Sequence, residues 1–219
     1  MNMNQIRLTA AGWAAHLKYS ACAHRKEKLL ALGLGLVLAL ILGQFTSFSS
    51  ACAAVRADTL RLHILANSDT DADQSLKLAV RDAILREAGD LFSAGTTKAQ
   101  AVAAARGALP ALQRIAETTL RAHGCGDTVT VRLENLYFST RAYDGFTLPA
   151  GRYDAVRVEI GAHEGKNWFC VLYPPLCLPA ASGGGAAYTP EEEKAVRCPY
   201  QIRFAAVEWL ESLKELFAA

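Results

Sequence analysis

LRLHILANSDTDADQSLKLAVRDAIL, residues 60–85, is the stretch that decides the fold. Its opening, LRLHILA, alternates and has the aliphatic content of a buried strand. Asn67, Ser68 and Asp69 break that pattern. Asp69 or Asp71 then stands where a helix cap is wanted, with acidic side chains at the helix's positive end. Along the helix Leu76, Val80, Ala83 and Ile84 recur at helical spacing, and Lys77, Arg81 and Arg86 take the wetter face. Gly89 is a natural stop. A strand feeding directly into an amphipathic helix is the seed of a sheet with a helix laid on it.

Downstream, the stripe Val102, Ala105, Leu109, Leu112, Ile115, Ala116 and Leu120 predicts a second helix over residues 97–123. Pro110 is expected to kink or split it, because proline removes a backbone donor and crowds the preceding turn. Val129, Val131 and Leu133 then alternate with Thr130, Arg132 and Glu134, an unambiguous period of two. Residues 148–151 read as a turn, Val156, Val158 and Ile160 as another alternating strand, 161–166 as a second turn and 168–173 as a more apolar strand. After a flexible linker at residues 182–185 comes a last helix. Ile202, Ala206, Trp209, Leu210, Leu213 and Phe217 lie on one side of it, the side expected to pack on the sheet. The fold class is therefore α+β: an antiparallel sheet of about four strands with helices packed on one face.

Upstream, residues 29–42 read LLALGLGLVLALIL, behind a leader holding Arg7, Lys18, Arg25, Lys26 and Lys28. A basic region, an apolar run and an A-x-A-like exit at Ala51-Cys52-Ala53 are the parts of a secretory signal, with cleavage expected after Ala53 or after Ala51. The uncharged stretch 29–55 is also long enough to span a bilayer if it is retained, with the basic flank on the cytoplasmic side. Cys52 would suit a lipoprotein, but Ser49 stands where an aliphatic residue is usual. Residues 1–54 are thus a basic leader plus signal peptide or membrane anchor, and 55–219 a single exported domain. The chain has 23 basic and 21 acidic residues; removing the leader's five and one leaves 18 and 20. That slightly acidic balance gives no footprint for nucleic acid.

Outside the cytoplasm cysteines can pair, and Cys170 with Cys177 would enclose a short loop stiffened by Pro174 and Pro175. Cys125–Cys198 and Cys177–Cys198 are the alternatives, and no Cys-x-x-Cys or His-x-x-x-His spacing favours zinc. Asp69, Asp71 and Asp73 mimic the start of a calcium loop, but Gln74 and Val80 stand where glycine and glutamate are needed. His63, His123 and His163 are candidate bases for a cysteine nucleophile, yet none lies in a local signature. There is no G-x-S-x-G elbow and no phosphate-binding loop, and Glu191–Glu193 read as a solvated helix start. No cofactor is implied. What remains is a polar segment, Asn67, Ser68, Asp69 and Gln74, and an aromatic, proline-rich one, Lys166, Asn167, Trp168, Pro174 and Pro175. Such groups suit partner recognition, or else simple turn chemistry and core packing.

Two blocks carry a resemblance. Residues 60–85, and residues 143–178 with YDGFTLPAGRYDAVRVEIG followed by GKNWFCVLYPPLC, resemble the stage II sporulation protein R family. The long basic leader and the glycine-rich insert depart from that pattern. The resemblance implies a protein secreted across the forespore membrane into the intermembrane space, or tethered to that membrane with its domain outside. It implies a partner there, a membrane-embedded aspartic-type peptidase that removes the pro-sequence of sigma-E. The implied role is an intercellular signal and activator, not an enzyme, whose other contacts are signal peptidase and, through the N-terminal segment, the membrane. A secreted hydrolase acting at the cell wall through a cysteine or carboxylates is the competing reading, and a tethered structural protein of the septal space a third.

Overall fold

The computed structural model describes residues 3–88, 97–143, 145–175, 188–197 and 202–218. Two compact units divide the chain, Met1–Phe48 and Ser49–Ala219. The first consists of most of helix α1, Met3–Ala57, within which Arg25–Ala57 is long and apolar enough to cross a membrane. Leucines at 29, 30, 32, 34, 36, 38, 40 and 42 are all exposed. A helix apolar on every face needs lipid or a signal-sequence receptor rather than a one-sided core.

The second unit starts with the last turns of α1 and continues into β1, Leu60–Leu65, which is followed by helices α2, Asp71–Ala88, and α3, Lys98–Ala122. Strand β2, Val129–Phe138, leads through a small hairpin, β3 Arg141–Tyr143 and β4 Phe146–Leu148, to the long β5, Gly151–Ile160. Then come β6, Asn167–Tyr173, and helices α4, Pro190–Val196, and α5, Ile202–Ala218. The main sheet runs β2-β5-β1-β6. It is α+β and mostly antiparallel, with one parallel pair, β1 with β5. Parallel pairing needs a long crossover, and α2, α3 and β2 supply it between those two strands.

Alternation sorts the side chains of β1. Leu60, Leu62 and Ile64 point to one face, where Val156, Val158 and Ile160 of β5 and Cys170 and Leu172 of β6 join them. Val80 and Ile84 of α2 and Ala101, Ala105, Leu112, Ala116 and Leu120 of α3 cover this face. The alanines let α3 lie close to the strands. Arg61, His63 and Leu65 point to the second face, which α4 and the β3–β4 hairpin cover only in part; Val55, Leu148, Val171, Tyr188 and Val196 form the packed end of it.

Several local expectations change. Thr70 rather than an aspartate caps α2: its hydroxyl accepts the Asp73 N–H at 3.3 Å. Asp69 is engaged elsewhere, as described below. Helix α3 runs unbroken through Pro110. Pro110 and Arg106 both lie on its exposed side, so water can take the carbonyl that the proline leaves unbonded. Thr97 and Gln100 close its N-terminus as a capping box. The end of the chain forms two helices instead of one. Glu192, expected to be solvated, is buried and accepts the Thr189 N–H at 2.7 Å in the cap of α4. On α5 the buried side is Phe204 and Val207, while Trp209 is 68% and Phe217 85% exposed, because the helix extends past the core. Gly89, the linker at 182–185, Cys177 and Cys198 lie outside the described residues.

Candidate functional site

The polar segment after β1 meets the turn before β6, and the two lock together. The Asn67 side-chain oxygen accepts the Ala162 N–H at 2.8 Å, and its amide donates to Asp73 at 3.0 Å. Glu164 and Gly165 donate their N–H groups to Asn67 and Ala66 carbonyls at 3.2 and 3.0 Å. Asp69 accepts the Lys166 N–H at 2.6 Å, and the Gln74 amide donates to the Ser68 carbonyl at 2.8 Å. Buried Lys77 donates to Gln74 at 2.6 Å and to the Lys166 carbonyl at 2.9 Å; burial lowers its pKa. A Cβ at Gly165 would collide with the Ser68 carbonyl, so glycine is what permits this approach.

Asn67, Ser68, Asp69, Gln74, Lys166 and Asn167 are therefore one cluster, with most of its polar groups occupied internally. Trp168 points to the other face, where it packs against the main core with the Arg81 guanidinium 5.2 Å from its ring. Pro174 and Pro175 are elsewhere: Asn167 pairs with Leu65 and Tyr173 with Leu60, so the prolines follow the opposite end of β6.

Behind Asn167 lies the open part of the second face. Arg61 is completely buried there, its guanidinium 4.1 Å from the Phe138 ring and 4.9 Å from Tyr153. One terminal nitrogen donates to the Tyr143 hydroxyl at 2.8 Å; Nε and Nη1 meet no acceptor among the described residues. Among the described residues no carboxylate pairs with it. Aromatic faces offset part of the cost of a buried cation, but one without a carboxylate remains expensive.

His63 stacks on Phe169 with centroids 4.7 Å apart and meets Phe138 edge-on at 5.7 Å. Burial brings its pKa down to about 4, helped by Arg157 and Arg61; the Asn167 amide pulls the other way without a hydrogen bond of normal geometry to either ring nitrogen. Arg141 also stacks on Phe169, at 4.4 Å. Arg157 is held by Glu159 at 2.8 Å and Glu134 at 3.6 Å. Together His63, Ser139, Arg141, Arg157, Asn167 and Phe169 line a cleft of about 280 Å³. A wider groove of about 760 Å³ separates α2 from α3, but no buried polar group in its walls lacks a partner among the described residues.

Chemically the cleft is a cationic, aromatic recess with a neutral imidazole. Among the described residues no group of three or more His, Cys, Asp or Glu side chains converges as metal ligands would. Cys52 and Cys170 are buried, and Cys125 packs against the main core, so none of the three is presented beside His63. Of the residues that the sequence suggests for partner recognition only Asn167 borders the cleft, and His63, a candidate base by sequence, lines it. Arg61, Arg141, Arg157 and Phe169 were missed. The available signal was LRLHIL itself, whose alternation puts Arg61 and His63 on one face of a central strand.

The sequence profile described as Stage II sporulation protein R (spore_II_R) matches residues 56–182. The chain belongs to that family. The matched residues contain both described sheets, the helices α2 and α3, and every residue of the cleft. Stage II sporulation protein R of Bacillus subtilis (strain 168) is 38% identical over 136 residues, 62% of this chain. The alignment spans 61% of that relative's length. No solved structure matches the chain.

Proposed function

We propose that this chain is an extracytoplasmic signalling protein of sporulation that activates a membrane-embedded, aspartic-type peptidase, which in turn processes pro-sigma-E. Membership of the stage II sporulation protein R family carries this reading. The N-terminal helix supports it, because Arg25–Ala57 suits export or anchoring. So do the thiols: buried Cys52 and Cys170 suit packing better than nucleophilic attack, which needs an accessible thiolate beside a base.

Retention of the anchor is favoured over release. Cys52 and Val55, on either side of the expected cleavage point, are wholly buried in the folded unit. Next to them Arg56 donates to the Ala150 carbonyl at 3.1 Å and pairs with Glu211 at 3.2 Å. A signal peptidase would have to unwind and extract that helical segment.

Activation is a population shift. The domain binds the outward face of the peptidase and prefers its active, assembled state; without that preference it would activate nothing. The surface it uses includes Asn167 at the rim of the cleft and the neighbouring Lys166, with the Asn67–Asp69 loop and Gln74 as the scaffold that fixes them.

Co-expression with the peptidase and its pro-sigma substrate, in a host without sporulation genes, tests the role. Processing that occurs only when this chain is present supports it. Absence of processing, with the proteins folded and correctly located, overturns it and raises the cell-wall hydrolase reading. Asp69→Ala and Trp168→Phe then probe the surface. A folded variant that still activates fully removes that residue from the contact.

A further inference from the structure

The second face of the sheet holds more positive charge than it neutralises. Arg157 is taken by Glu134 and Glu159, and Arg132 lies 3.6 Å from Glu159. Arg61 and Arg141 make no ion pair among the described residues, and Arg61 is completely buried. Both guanidiniums lie over aromatic rings, at 4.1 Å and 4.4 Å, so their flat faces are occupied. Their N–H edges are what remains. Among the described residues Arg61 Nε and Nη1 and both nitrogens of His63 are buried and without partners; Arg61 lies behind the cleft and reaches an anion there only through its field, whereas His63 and Arg141 line it. The Arg141 N–H edge, beside the stacked Phe169 ring and the single N–H of a neutral His63, is the geometry that a planar carboxylate matches.

Size narrows the class further. About 280 Å³ is below the roughly 300–1,000 Å³ of small-molecule sites, and is suited to one side chain entering from a larger partner. Phe169 and Phe138 form walls against which the methylenes of a glutamate can pack, with the carboxylate reaching the basic groups. The cleft also opens beside Asn167, on β6, an edge strand of the sheet. A polypeptide segment can reach it there without disturbing the strands.

We propose that the cleft formed by His63, Ser139, Arg141, Arg157, Asn167 and Phe169 is a receptor for a glutamate or aspartate side chain on an acidic segment of the protein partner. This deepens the activator reading and rests on it for the identity of the partner. The chemistry of the cleft is independent of that identity.

The experiment is a titration of the folded domain with a short, N-acetylated and C-amidated Glu-Gly peptide, followed by NMR of the His63 ring and the Arg141 side chain. Shifts at both groups are expected, with no shifts from the matching Gln-Gly peptide. Arg141→Gln should weaken binding about tenfold, as expected for the loss of one charge-assisted pair. Arg132→Gln, a cation outside the cleft lining, should leave it within about twofold, as peripheral charges do. Equal binding of the glutamine peptide, equal loss in the two arginine variants, or inorganic phosphate binding as tightly as the Glu-Gly peptide would each overturn the proposal. The two levels separate cleanly. A domain that activates processing but does not bind the acidic peptide refutes the cleft alone. One that binds it through Arg141 but never activates refutes the activator role and leaves the receptor standing.

Discussion

The two faces of the central sheet come from the same six residues of β1 and behave oppositely. Leu60, Leu62 and Ile64 are sealed beneath α2 and α3 within one apolar cluster. Buried Arg61 and half-buried His63, on the opposite face, lack hydrogen-bond partners for four of their nitrogens among the described residues. The first face explains why the domain folds. The second is retained against folding, since a buried ion without a partner is usually improved by an apolar replacement. The contrast separates residues that stabilise from residues proposed to act.

The largest expected effect breaks the first face. Ile64→Ala or Leu62→Ala leaves a cavity in a fully buried cluster and should destabilise by about 2–5 kcal/mol, read by urea unfolding. A loss under about 1 kcal/mol would mean the helices do not seal that face as described. Arg61→Met moves in the other direction. It keeps the volume and removes the unpaired charge, so stability should stay level or rise by about 1–4 kcal/mol while activation falls. Marked destabilisation would show that the Tyr143 hydroxyl and the stacked rings stabilise Arg61 by more than its burial costs.

Acid sharpens the comparison. His63 has a folded pKa of about 4 against about 6.5 unfolded, so the unfolded chain binds the extra proton first. Stability from this group is intact above pH 6.5 and is lost as pH falls towards 4. With its partial exposure discounted, the loss is at most about 2 kcal/mol. His63→Phe should flatten that segment of the stability–pH curve, and an unchanged slope would assign it to other groups. The smallest effect belongs to the surface: Arg152→Gln breaks an exposed pair with Glu215 and should change stability by less than about 1 kcal/mol.

How much of this the sequence displayed depends on the range of the signal. The period of two in LRLHIL and in Val129–Leu133, and the stripe of α3, are local and predict their elements directly. The parallel pairing of β1 with β5 is not local; it depends on what α2, α3 and β2 span. On α5 the apolar residues exceed what its short buried side can accept, so Phe204 and Val207 could not be told from Trp209 and Phe217 by spacing. At the site the difficulty is similar. Asn67 to Gln74 attracted notice because polar residues stand out in a turn, and the structure spends them on locking Gly161–Lys166 in place. Arg141 and Phe169 become neighbours of His63 only when β3 and β6 are in position.

The most direct measurement is sigma-E processing in the co-expression system with Arg141→Gln as the only change, beside a check that the domain remains folded. If the cleft engages the partner, the variant stays folded and processing falls about tenfold or more, the scale of a central binding residue. Processing at the parental rate by that same folded variant would contradict it, and would return the second face to the status of ordinary packing.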